Sequence, residues 1–199
     1  MKNEMNYYNI SLFPALFSLT FAFLITLSPQ TAAAQNAFPA SDKQAAARFE
    51  SRTKEYAQLR GRLEGKLPKL PKKATPEQIE AYKAALQRTV QTARAGARQG
   101  QIFTPDAARL IRAIIKAEFK GRDRRELREM VFEAETKGVR VKVNAPYPEA
   151  KELVEMPPTL LLALPQLPKQ IRYRFVGRNL LLVDRENGLI LDYMMHAVP

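Results

Sequence analysis

Apolar residues follow three rules along this chain of 199 residues. Ile10–Leu27 is apolar on every face. From Ser41 the apolar positions take the 3.6-residue spacing of amphipathic helices, and after Gly138 they tend to alternate every second residue. The helical regime divides at prolines and glycines. Ala46, Phe49, Tyr56, Leu59, Leu63 and Leu67 form one stripe, with Ser41 and Gln44 placed as a capping pair at its start. Leu67–Ala74 is a proline-punctuated linker. Thr75, Pro76 and Gln78 then supply an N-cap, a first-turn proline and a capping-box partner for a second helix carrying Ile79, Tyr82, Leu86, Val90 and Ala93. Thr104-Pro105-Asp106 opens a third helix, with Leu110, Ile111, Ile114, Ile115 and Phe119 inward. Leu127, Met130, Val131 and Ala134 predict a fourth, ending near Gly138.

Val139–Val143 alternates as a half-exposed strand does, and Asn144–Leu153 reads as loop. Leu160–Leu164, bounded by prolines, predicts one or two helical turns. Ile171–Val176 and Asn179–Asp184 flank Gly177-Arg178, which suits a two-residue hairpin. That register sets Phe175 opposite Leu180 and Tyr173 opposite Leu182 on one face. Arg174 then meets Leu181, and Arg172 meets Val183, on the other. Asn187-Gly188 turns the chain into Leu189–Met194, through either a two-residue loop or a three-residue loop with a glycine bulge. The last two strands are apolar on both faces, so the helices are expected to cover the second one. The predicted fold is α+β: three to four helices followed by a small antiparallel β-meander.

The apolar run at 10–27 precedes Thr31-Ala32-Ala33-Ala34, whose small residues suit the −3 and −1 positions of a signal-peptidase site. Residues 1–34 therefore read as a signal peptide cleaved before Gln35, and the protein as periplasmic or secreted. An uncleaved N-terminal anchor is the alternative, because this 18-residue stretch approaches the length of a membrane span and Lys2 is offset by Glu4. Residues 35–74 are then a basic helix with its linker, and residues 75–199 a helical and β-meander domain.

Composition sharpens this picture in two respects. The chain contains no cysteine, so packing rather than disulfides must stabilise it outside the cytoplasm. Its 32 Lys and Arg against 20 Asp and Glu give a net charge of +12, and half of that excess falls in residues 41–74. Export makes nucleic acid an unsuitable partner for this charge, whereas an envelope protein, an anionic polymer or lipid headgroups are accessible. Arg60, Arg62, Lys66, Lys69, Lys72 and Lys73 are the candidate anion contacts.

From Val143 onward, Val143-Asn144, Tyr147-Pro148, Pro157-Pro158-Thr-Leu-Leu, Leu164-Pro165-Gln-Leu167-Pro168, Tyr173-Arg-Phe-Val-Gly177-Arg178 and Asp184…Leu189-Ile190-Leu-Asp192 occur in one order. This third of the chain resembles an uncharacterised group of exported bacterial proteins with a Pro-rich segment and a C-terminal hairpin unit. The resemblance implies the three-strand tail and no activity. The tail is more loosely similar to small periplasmic proteins of nickel and cobalt homeostasis, but one histidine, His196, and no cysteine provide no ligand set for those metals.

Catalytic chemistry has little to work with. Beyond residue 34 the only serines are Ser41 and Ser51, and no Gly-rich phosphate loop follows a strand. No catalytic residue, metal site or cofactor is expected. The expected function is that of an exported non-enzymatic protein acting through protein or anionic envelope-surface contacts. The alternative is a hydrolase-like enzyme using Asp184 and Asp192 of the sheet, against which Arg172, Arg174 and Arg185 stand as structural neutralising partners.

Overall fold

The computed structural model describes residues 39–120, 141–147 and 156–198. The expected signal peptide at 1–34, the expected fourth helix at 127–138, and parts of the expected 139–143 strand and 144–153 loop lie outside these residues. Among the described residues, four helices, α1 (Ala40–Glu64), α2 (Pro76–Ala93), α3 (Pro105–Glu118) and α4 (Pro158–Ala163), precede three strands, β1 (Ile171–Val176), β2 (Asn179–Asp184) and β3 (Ile190–Met194). The strands form one antiparallel sheet in the order β1-β2-β3, so the α+β meander is present as expected.

Local chemistry accounts for the starts of α2 and α3. Thr75 accepts from the Gln78 N–H while Gln78 reaches back to the Thr75 N–H, which completes a capping box. Thr104 accepts from the Ala107 N–H and Pro105 takes the first helical position. The start of α1 departs from expectation. Pro39 occupies the cap position with no side-chain cap, and Ser41 is already helical. Proline's fixed φ and missing N–H let the chain enter the helix without the Ser41–Gln44 pair.

The β1–β2 register is the expected one, Phe175 facing Leu180 and Tyr173 facing Leu182. Gly177 sits at φ +52°, and Arg178 is not in the left-handed region, as a two-residue turn with glycine first requires. The next turn differs from both expected loops. Asp184 N–H donates to Leu189 O and Gly188 N–H to Asp184 O, so the loop has four residues, Arg185–Gly188. A bulge between Leu182 and Val183 follows, leaving Leu191 as the extra residue of β3. The expected strand at 139–143 is also corrected where it is described: 141–143 runs into a turn. Asn144, at φ +63°, caps α2 by donating from Nδ2 to Gln91 O and Arg94 O. Pairing to the β3 side begins only at Asn144, whose N–H donates to Ile190 O, and continues through the Pro146–Leu189 bridge.

α1, α2 and α3 pack on one face of the sheet, where Phe49, Tyr56, Leu86, Ile111, Ile115, Tyr173, Phe175 and Leu182 share a core. The linker does not set α1 apart, because Phe49 stacks on Tyr173 with centroids 6.3 Å apart and lies 5.6 Å from Phe103. On the second face Val176, Leu181, Val183 and Ile190 are covered, among the described residues, by Val141 and Tyr147 rather than by the described helices. Phe49→Ala empties a site that is 1% exposed, with a cost of about 3–5 kcal/mol. Urea unfolding of the variant should show its midpoint fall accordingly, with the slope unchanged.

Candidate functional site

Two buried carboxylates organise the polar interior. Asp184 closes β2, and its Oδ2 accepts from Tyr56 Oη at 2.6 Å and from Arg60 Nε at 3.0 Å. Its Oδ1 accepts the backbone N–H groups of Glu186 at 3.0 Å and Asn187 at 3.2 Å. Arg60 in turn pairs with Glu64 at 2.6 Å and with Glu186. Arg60 is thus corrected as an anion contact. It is 3% exposed and committed to three carboxylates, in line with Phe49 and Tyr56 on the buried side of α1. The remaining members of that set, Arg62, Lys66, Lys69, Lys72 and Lys73, are exposed at the end of α1 and along the linker.

Asp192 is likewise fully buried and has no arginine at its carboxylate. Oδ2 accepts from the N–H groups of Ile102 at 2.7 Å and Phe103 at 2.8 Å, while Oδ1 accepts from Gly100 at 2.9 Å and Tyr193 at 2.8 Å. Backbone N–H groups rather than a salt bridge thus satisfy this carboxylate, with Arg94, bound to the neighbouring Leu191 O, as the nearby charge. The direct cation at Asp184 is Arg60, not a strand arginine. Neither carboxylate has exposed surface on which to meet a substrate.

Exposed chemistry gathers on the other side of β1. An open cavity of about 480 Å³ lies between the α4–β1 connection and β1, with Lys169, Arg172, Arg174 and Arg185 among its lining residues and, among the described residues, no carboxylate. Leu161, Pro165, Leu167 and Pro168 give it an apolar wall. Strand alternation carries Arg172 and Arg174 to the face opposite Tyr173, and Arg185 lies across β1 with its Nε 3.3 Å from Ile171 O. Arg172 and Arg185 also line a second cavity of about 560 Å³, beside Tyr147 and Lys83. The acid there, Glu186, is held by Arg60. Burial, then the like charge of Arg185, lowers the Arg172 pKa. The Arg172 Nε is buried and without a hydrogen-bond partner among the described residues.

Guanidinium groups stay protonated and offer forked donors, so this arrangement suits holding an anion rather than moving a proton. The sequence signal for it was Arg172 and Arg174 opposite Leu181 and Val183, arginines on a face otherwise apolar. Charge density had pointed to residues 41–74 instead. No protein-family model matches the chain, and no curated protein or solved structure does.

Two predictions concern the buried network. Asp184→Ala leaves Arg60 and Tyr56 without their shared acceptor and should cost about 3–5 kcal/mol, read by chemical denaturation. Burial first, then the Asp184 charge, raises the Tyr56 pKa well above its ordinary value of 10.0, and burial does the same to Tyr173. A folded pKa raised in this way gives stability that is complete below pH 10 and lost as pH climbs toward the folded values. Titration at 295 nm should find these two phenols un-ionised at pH about 11 until urea releases them.

Proposed function

We propose that this is an exported, non-enzymatic binding protein of the cell envelope that acts by holding anionic groups at the β1 groove. The observation that carries the reading is the concentration of Lys169, Arg172 and Arg185 around one cavity, whose lining among the described residues includes no carboxylate. Export is supported by the apolar run at 10–27 and the small residues that follow it, and it makes envelope polymers, lipid headgroups and envelope proteins the accessible anions. The exposed cations Arg62, Lys66, Lys69, Lys72 and Lys73 add long-range attraction without a shaped site. The hydrolase reading has no comparable support, since Asp184 and Asp192 are both 0% exposed and saturated with donors.

Deleting residues 41–74 does not test this reading, because α1 carries Phe49 and Tyr56 of the core. Charge reversal at the groove does. On immobilised dextran sulfate the protein should elute at a salt concentration that falls with Arg172→Glu plus Arg185→Glu, and falls less with Lys69→Glu plus Lys72→Glu. Elution unchanged by the groove pair would refute the assignment.

A further inference from the structure

α4 is the shortest helix among the described residues and packs unevenly. Leu160 is fully buried, but Leu161 is 47% exposed and Leu162 is 88% exposed. An 88% exposed leucine has almost no packing partner among the described residues. Pro157 and Pro158 on one side and Pro165 on the other stiffen the backbone that presents it. Leu161 also lines the cavity that holds Lys169, Arg172 and Arg185. A protruding apolar pair therefore borders a cationic groove.

The geometry points to a membrane-surface docking site, in which Leu161 and Leu162 enter the interface of an anionic phospholipid bilayer and the groove cations meet its phosphates. This rests on the anion-holding reading above and names the source of the anion. Charge complementarity selects the partner: the chain carries +12, and the groove residues present cations at the edge of the apolar pair. A soluble polyanion would satisfy the arginines but leave Leu162 in water, whereas a bilayer interface satisfies both. The contact is peripheral. Six helical residues extend roughly 9 Å, against a hydrocarbon core of about 30 Å, and no helix among the described residues is long and apolar enough to cross a membrane.

The absence of cysteine permits a position-specific test in the full chain. Leu162→Cys carrying an NBD dye reports insertion at that residue, whatever else in the chain touches lipid. The dye emission should shift to the blue with vesicles of phosphatidylcholine containing phosphatidylglycerol, not with phosphatidylcholine alone, and the shift should vanish on adding Arg172→Glu plus Arg185→Glu. Leu161→Gln plus Leu162→Gln should weaken anionic-vesicle affinity about tenfold while leaving dextran sulfate binding intact. Dextran sulfate binding without any dye shift overturns the bilayer assignment and leaves the anion-holding reading standing. Loss of both kinds of binding in the unsubstituted protein overturns both. Because both leucines are exposed, an unchanged thermal melt is expected for the variants at Leu161 and Leu162.

Discussion

A buried carboxylate must find donors or remain uncharged, and Asp184 finds them in two parts of the chain at once. Tyr56 and Arg60 come from α1, while the Glu186 and Asn187 amides come from its own loop. The one acceptor therefore fixes both the seating of α1 and the shape of the β2–β3 turn. Burial works against the Arg60 charge, but Asp184, Glu64 and Glu186 outweigh it and raise its pKa. The interior thereby draws Glu186 toward Arg60 and away from its neighbours Arg185 and Arg172. The positive groove on the outer face is in part a by-product of neutralising the inner one.

Asp192 does comparable work by other means. Its two oxygens take amides of Gly100, Ile102 and Phe103, so the α2–α3 connection is tied to β3 although it adds no strand to the sheet. The bulge at Leu191 changes the phase of β3 and so decides which side chains turn toward that connection. In a chain without cysteine, these two carboxylates serve as long-range ties of the kind that disulfides supply elsewhere.

Legibility followed the range of the interaction. The Thr75 capping box and the Gly177-Arg178 hairpin depend on residues a few positions apart, and both could be read directly, the β1–β2 register included. The Asn187-Gly188 turn looked equally local, yet its length depends on Asp184 folding back onto the loop amides. Arg60 misled more seriously. Its spacing from Phe49 and Tyr56 placed it on the buried face, but its charge suggested solvent, and its acceptor lies 124 residues away. The groove was hidden for the same reason, because Lys169, the strand arginines and Arg185 become neighbours only once the Pro-rich connection lies beside β1.

The separation between Arg60 and Asp184 also bears on when this protein is able to fold. Every helix of the main core is synthesised before either sheet carboxylate, and the Ile102–Asp192 tie spans 90 residues. A nascent chain thus holds an amphipathic α1 whose inward cation has Glu64 of its own helix but not yet its buried acceptor, Asp184. Such contacts of long sequence separation form slowly and late. Placing the acceptors far downstream of the helices makes closure of the core wait on the C-terminal strands, so the fold is completed only when the last part of the chain is present.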